Sequence, residues 1–184
     1  MPTSSSGPTS HVYFSQRLRL HYVDWGNHDA PPLLLIHGGR DHCRNWDWVA
    51  QALRDDFHII APDLRGHGDS SWAIGGNYAL IDYVYDIAQL VRQRTMAPLS
   101  IMGHSLGGYI SLLYSGLYPE TVSKLVNVDG VVASPDQIKA VTDKPFHERM
   151  LQWIDQVRSL SGRTVKKYKS IEEAVARMHG ENPR

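Results

Sequence analysis

A glycine-rich turn with a central serine constrains this chain more than any other feature of its sequence. The turn Gly103–Gly107 reads Gly-His-Ser-Leu-Gly and stands between Leu99–Met102, which predicts a strand, and Tyr109–Leu117, which predicts a helix. A serine on so tight a strand-to-helix turn has strained backbone geometry, and flanking glycines remove Cβ clashes around it. The pattern predicts that Ser105 is an exposed nucleophile at a helix N-terminus. The alternative is an ordinary turn with a solvated serine.

Strand and helix signals alternate along most of the chain. Short apolar or alternating runs predict six strands, at Val12–Phe14, Leu18–Tyr22, Leu33–Ile36, Phe57–Ala61, Leu99–Met102 and Leu125–Val128. Between several of them, apolar residues recur at helical spacing, over 46–53 and over 80–91. This alternation predicts an α/β fold with a mainly parallel central sheet flanked by helices.

The predicted organisation has three parts. Residues 1–10 are rich in Ser, Thr and Pro and predict a disordered leader. Residues 11–133 predict the α/β core, with its six strands and the serine turn. Residues 134–184 carry only helical signals, at Phe146–Leu160 and after the capping box Ser170–Glu173. We expect this last part to form a helical lid or cap.

A second glycine-rich segment fits chemistry at Ser105. The segment His37-Gly38-Gly39 follows a predicted buried strand. Acyl transfer needs N–H donors for the developing oxyanion, and a glycine-rich loop can bring its backbone close enough to supply one. Gly39, with Gly38, is one candidate donor, and the N–H of Leu106 at the helix start is the other. A simple tight turn also explains this segment. The turn and the donor interpretations can both hold, because such a turn would orient the backbone N–H of Gly39.

Three motifs in this order resemble the α/β-hydrolase superfamily. They are His37–Gly39, the segment Asp63–Ser70 with its pattern D-x-R-G-H-G-x-S, and Gly103–Gly108. The middle motif is similar to a loop of esterases, haloperoxidase-like enzymes and epoxide hydrolases, and Val165–Pro183 resembles the serine hydrolase-like branch more weakly. The resemblance implies Ser105 as nucleophile, with Leu106 and Gly39 as oxyanion donors. Dehalogenases and epoxide hydrolases of this fold carry aspartate at the nucleophile position, so the serine favours cleavage of carboxylic esters through an acyl-enzyme.

The same resemblance implies an acid and then a histidine base after the nucleophile. Asp129 is the candidate acid because it follows the predicted strand Leu125–Val128, at the edge where an active site is expected. A turn-capping role explains Asp129 as well. His147 and His179 are the only histidines after Ser105, and neither follows a predicted strand. The sequence therefore identifies no base.

Chain length bears on the missing base. A βα unit takes about 25–30 residues, so an eight-stranded sheet of this type needs somewhat over ~200 residues. This chain has 184 residues, and its last 50 or so carry helical signals. We expect the last two strands and the base histidine to be missing through C-terminal truncation. Two hypotheses follow: a serine hydrolase, or a catalytically incomplete fragment or non-enzymatic module. An exposed edge at Leu125–Val128 would also allow oligomers.

The composition of the chain limits the classes of molecule that it is expected to bind. The chain has 19 Lys+Arg and 19 Asp+Glu, which argues against nucleic acid and against a polybasic membrane surface. Its single cysteine, Cys43, excludes an intramolecular disulfide and suits a small buried apolar group. Histidine spacing predicts no metal site, and no motif predicts a cofactor. The expected partner is a small acyl substrate, and the absence of a signal-peptide pattern predicts a cytoplasmic protein.

Overall fold

The computed structural model describes residues 7–130, 134–160 and 167–181 and divides the chain into two compact units, 1–132 and 133–184. The first unit carries the sheet. Its strands are β1 (Thr9–Ser15), β2 (Leu18–Asp24), β3 (Pro32–Ile36), β4 (His58–Pro62), β5 (Leu99–His104) and β6 (Val122–Val128). Its α-helices are α1 (Asp47–Leu53), α2 (Leu80–Arg94) and α3 (Leu106–Leu117), with short 3-10 turns at Cys43–Trp46 and Pro119–Thr121.

The six strands form one sheet in the order β1-β2-β4-β3-β5-β6. The pairs β1/β2 and β2/β4 are antiparallel, whereas β4/β3, β3/β5 and β5/β6 are parallel. The mainly parallel sheet and the α/β fold predicted from the sequence are therefore confirmed. In such sheets a site lies outside the carboxyl ends of the parallel strands. At that edge, Ile36 pairs with Gly103 and His104 pairs with Val128.

Both faces of the central strands are buried, which explains their continuous apolar sequences. On one face Leu34 and Ile36 pack in a cluster with Ile87 of α2 and Ile110 of α3. On the other face Leu33 and Leu35 pack with residues of β4 and α1. Each fully buried side chain of this size contributes about 1.5–3 kcal/mol relative to an exposed one, so β3 is a main anchor of the fold.

The first strand corrects the predicted extent of the leader. Strand β1 begins at Thr9, and Thr9 and Ser10 pair with Asp24 and Val23 of β2, so the prediction of disorder through residue 10 is wrong at its last two positions. The polar composition concealed a β-branched start to the strand. Residues 1–6, which carry the rest of that prediction, lie outside the described part of the chain.

The second unit is helical in its described part. It contains α4 (Pro135–Thr142), α5 (Phe146–Leu160) and α6 (Ile171–Glu181). Helix α4 was not predicted, although Ser134 and Gln137 form a capping box that opens it. Among the helices of residues 7–130, 134–160 and 167–181, none combines the length and the apolar character needed to cross a bilayer.

Candidate active site

Ser105 lies on a strained turn at the start of α3. Its backbone has φ +50° and ψ −115°, and its side chain is exposed. The Ser105 N–H donates to the Val128 carbonyl at 2.8 Å, and the Ser105 carbonyl accepts the Tyr109 N–H at 3.0 Å. A non-glycine residue at positive φ costs on the order of 1–3 kcal/mol and persists only where its surroundings hold it. The strand-turn-helix geometry expected from the sequence is therefore present.

The glycines around Ser105 are required by close backbone approach. A Cβ at Gly103 would overlap the Gly107 carbonyl oxygen and the Ser111 hydroxyl. A Cβ at Gly107 would overlap the carbonyl oxygens at the end of β3. Helix α3 can therefore pack this close to the sheet only because neither position carries a side chain. This close packing places Ser105 at the edge of the sheet.

The structure brings Gly38 and Gly39 against this turn. A methyl group on Gly38 would lie 3.3 Å from Ser105 Cβ, and one on Gly39 would lie 3.8 Å from Leu106 Cδ2. The first N–H groups of α3 have no partner within the helix and carry its positive dipole end, so they favour an anion beside Ser105. The four residues predicted for the nucleophile and the oxyanion donors thus share one small region.

His37 fixes the backbone of this glycine segment. Its ring is fully buried, and Nε2 accepts the Leu64 N–H at 3.0 Å, so the hydrogen lies on Nδ1, which donates to the Gly38 carbonyl at 2.7 Å. Burial lowers the pKa of His37, in keeping with this neutral tautomer. The ring is committed to two backbone groups and is a positioning residue.

The loop after β4 is anchored by Asp63. Its carboxylate accepts the N–H groups of Cys43 at 2.7 Å and Asp69 at 2.9 Å and lies 2.7 Å from His21 Nδ1. Burial opposes the charged form, but these hydrogen bonds outweigh it and lower the pKa of Asp63. Burial, followed by the Asp63 carboxylate, raises the pKa of the Cys43 thiol far above its usual range. Cys43 is therefore a neutral buried thiol and no nucleophile.

Asp129 lies at the same sheet edge as Ser105. Asp129 follows Val128, just as Ser105 follows His104. Because Val128 and His104 are paired on neighbouring parallel strands, Asp129 and Ser105 occupy corresponding positions at the ends of these strands. Asp129 is exposed and has φ +55°, in a turn that Asn127 closes through hydrogen bonds to the N–H and carbonyl of Gly130, both at 2.8 Å. The position suits a catalytic acid and the backbone suits a turn residue, so both interpretations of Asp129 stay open.

No base is assigned within the α/β unit. Over residues 7–130, no histidine ring is hydrogen-bonded to the Ser105 hydroxyl. His147 and His179 lie in α5 and α6 and follow no strand, as the sequence indicated. His104, beside the nucleophile, lines a cavity of about 260 Å³ together with Trp46.

That cavity lies at the same sheet edge as Ser105, since His104 and Val128 help to line it. Its apolar wall comes from Trp46, Val49 and Val128. Two further tryptophans, Trp48 and Trp72, are exposed. Trp46 also belongs to the core cluster that covers one face of β3.

Sequence spacing missed two groups of side chains that could hold a metal ion. One is His21, Cys43 and Asp63, and the other is Asp24, His28 and His58. Their members come from segments far apart in sequence and meet only through strand pairing, so no short motif marks them. The predictions of no metal and no cofactor stay untested.

The strand order and the serine turn after β5 define a protein of the α/β-hydrolase class. A family model described as "alpha/beta hydrolase fold" matches residues 31–168, about three quarters of the chain, and the chain belongs to this family. The sequence-based recognition of the superfamily is thereby confirmed.

Similar proteins agree with this assignment. A "Probable serine hydrolase" of Drosophila melanogaster is 35% identical over 113 residues, covering 60% of this chain and 34% of the relative. A human "Serine hydrolase-like protein" is 36% identical over 106 residues, covering 57% of this chain and 52% of the relative. The chain thus spans about a third to a half of the length of these relatives. A solved "Thioesterase Domain From Curacin Biosynthetic Pathway" shares the fold, with a TM-score of 0.81, 20% identity and coverage of 97% of this chain and 63% of the domain.

Proposed function

We propose that the chain carries the nucleophile of a serine hydrolase that cleaves carboxylic esters or related small acyl compounds. The observation behind the proposal is the exposed Ser105 at φ +50° before α3, with Gly38 packed against it. A serine nucleophile favours an acyl-enzyme, and relatives named as serine hydrolases support that choice.

In the proposed reaction, Ser105 Oγ attacks the acyl carbon and its proton passes to a general base. The carbonyl oxygen becomes an oxyanion that accepts hydrogen bonds from the N–H groups of Leu106 and Gly39. Collapse of this intermediate breaks the ester C–O bond, and the leaving alcohol takes the proton. Water then hydrolyses the acyl-enzyme and regenerates the serine. No histidine ring of residues 7–130 is hydrogen-bonded to the Ser105 hydroxyl, so the described part of the α/β unit identifies no base.

The test is covalent labelling of the 184-residue chain with a fluorophosphonate probe, beside hydrolysis of an activated aryl ester. We expect labelling and ester turnover in the wild type and background levels in Ser105→Ala, because only an activated serine reacts at a useful rate. Ser123→Ala, which removes another exposed serine on β6, is the matched control and should react as the wild type does.

Equal trace signals from the wild type and Ser105→Ala would contradict the proposal for this chain. They would favour the alternative, a catalytically incomplete fragment or non-enzymatic module without a histidine base.

Asp129→Asn separates the two roles of Asp129 in the same assay. Asparagine tolerates positive φ, so a turn residue at φ +55° can be replaced with little structural cost. If Asp129 is the acid, ester turnover should fall by up to about 10⁴-fold, because the general base would lose the carboxylate that orients it. Turnover at the wild-type rate would assign Asp129 to the turn alone.

A further inference from the structure

Two histidines and an aspartate meet at the edge of the sheet opposite to Ser105. Asp24 ends β2, His58 begins β4, and His28 lies in the connection from β2 to β3. Strands β3 and β4 are parallel and begin at this edge, whereas Ser105 follows the far end of β5. The group is therefore separate from the candidate active site, and the proposed function does not use it.

The distances from His58 to the other two side chains match those between the ligands of a metal site. His58 Nε2 lies 3.1 Å from Asp24 Oδ1, 3.2 Å from Asp24 Oδ2 and 3.2 Å from His28 Nδ1. One ligand atom from each residue can be chosen so that all three lie within 4.8 Å of one another. In a tetrahedral zinc site with bonds of about 2.0–2.1 Å, neighbouring ligand atoms are about 3.3 Å apart. The spacings from His58 to Asp24 and to His28 thus match those between ligands of one ion, and all three ligand atoms lie within 4.8 Å of one another.

Hydrogen bonding alone leaves these atoms poorly satisfied. The Asp24 carboxylate and His28 Nδ1 converge on His58 Nε2, which carries at most one hydrogen. Asp24 Oδ1 also accepts the Gly26 N–H at 2.9 Å. Between the three side chains themselves, however, one hydrogen serves both a carboxylate and a second imidazole, so their lone pairs outnumber the protons between them. A cation that accepts a lone pair from each residue removes that deficit.

The surroundings suit a partly buried ion with room for water. The side chain of Asp24 is 2% exposed and that of His58 is 13% exposed, whereas His28 is exposed and closes the group from the solvent side. The group borders a cleft of about 460 Å³ that His28 and His58 help to line. Arg94 approaches Asp24 Oδ2 at 3.9 Å from the cleft side, and the Gly26 N–H donates to Oδ1 at 2.9 Å.

We propose that Asp24, His28 and His58 bind a divalent transition-metal ion of the zinc class. Imidazole nitrogens and a carboxylate oxygen are preferred zinc ligands, and three protein ligands leave a position for water. Bound metal would tie the β2–β3 connection to the start of β4. The second group, with Cys43, is the less suitable site, because backbone N–H groups bind both oxygens of Asp63, whereas a backbone N–H binds only Oδ1 of Asp24.

The first test is calorimetric titration of the untagged, chelator-treated 184-residue chain with Zn²⁺. We expect one ion per chain, with binding at least about 100-fold weaker in His28→Ala, since even loss of a group behind a ligand costs 10–100-fold. His28 is exposed, so this variant should fold. His42→Ala removes another exposed histidine and should bind as the wild type does. Failure to bind one Zn²⁺, or equal affinity in His28→Ala, would overturn the proposal.

The second test uses Co²⁺, whose spectrum reports its ligands. We expect visible bands of a nitrogen- and oxygen-ligated ion in the wild type and their loss in His28→Ala. An intense thiolate-to-metal band that disappears in Cys43→Ser would overturn the assignment, because it would place the ion at the Cys43 group. Neither readout depends on hydrolase activity, so failure of the proposed function leaves this test intact.

Discussion

At the scale of single residues, His37 links the glycine segment to the loop after β4. Its Nε2 accepts from the Leu64 N–H and its Nδ1–H donates to the Gly38 carbonyl, so protonation of Nε2 would break the first of these bonds. Ser105 and Gly38 depend on the same local order, because the glycine segment touches the nucleophile turn. The His37 ring therefore couples two loops of the candidate site, the glycine segment and the loop after β4. The sequence alone showed His37 only as part of a motif.

This coupling predicts a pH-dependent contribution to stability. Burial lowers the pKa of His37 in the folded state, whereas the unfolded chain takes up the proton near pH 6.5. Below that pH the unfolded state binds more protons, so the free energy of unfolding should fall as pH decreases towards the folded-state pKa. His37→Asn should cost about 1–3 kcal/mol near pH 7.5, because the buried Leu64 N–H loses its acceptor, and the cost should shrink towards pH 5.

Urea unfolding of the wild type and His37→Asn between pH 5 and 8 measures this difference. His42→Asn is the matched control, since His42 is an exposed helix cap and asparagine caps equally well. It should keep the wild-type pH dependence. A cost of His37→Asn that stays constant across the range would show that the proton on His37 has no part in it.

At the scale of elements, a buried ion pair fastens the loop after β4 to α2. Arg65 has no exposed surface, and its guanidinium donates to both oxygens of Asp86, at 2.6 and 2.7 Å. A third donor reaches the Asn77 carbonyl at 2.8 Å. A second carboxylate of α2, that of Asp82, lies 3.5 Å from Arg65 Nη1. The charge of Arg65 is thus compensated by α2, mainly through Asp86, and the loop that holds Asp63 depends on it.

We therefore expect Asp86→Ala to destabilise the protein by about 3–5 kcal/mol, since it removes the bidentate partner and leaves the buried guanidinium with only the more distant carboxylate of Asp82. Asp47→Ala breaks the partly exposed pair with Arg44, of the same residue types, and should cost less than about 1 kcal/mol. Urea unfolding followed by far-ultraviolet circular dichroism compares the two variants. Similar costs would mean that the Arg65 charge is compensated by groups other than Asp86.

The elements also separate what the sequence could predict from what it could not. Strand β3 was predictable because Leu33–Ile36 is apolar without a break, and Ser105 because a local motif sits at a strand end. The site around Asp24, His28 and His58 was not predictable, since it arises from the pairing of β2 with β4. Thr9 was assigned to the disordered leader because the polar composition of residues 1–10 was given more weight than the strand propensity of a β-branched residue. A short segment of sequence is enough to identify a local motif such as the turn of Ser105, whereas a contact between two strands can be predicted only when their register is known.

At the scale of the whole molecule, the sheet of residues 7–130 ends in two different edge strands. Strand β1 pairs only with β2, and β6 pairs only with β5. The apolar residues Val126 and Val128 of β6 are 47% and 42% exposed, and Val12 of β1 is 41% exposed. Unpaired strand edges with exposed apolar side chains favour pairing with a second chain. Strand β6 runs parallel to β5, the strand that leads into the turn of Ser105.

This arrangement predicts that the 184-residue chain associates through β6. Sedimentation velocity should show a concentration-dependent shift from monomer to larger species in the wild type. Val126→Lys should return the chain to monomer, because a charged side chain on an edge strand opposes pairing. Val12→Lys places the same charge at a similarly exposed position on the opposite edge and should leave the association unchanged. A wild type that stays monomeric at all concentrations, or an equal effect of both lysines, would contradict a role for β6.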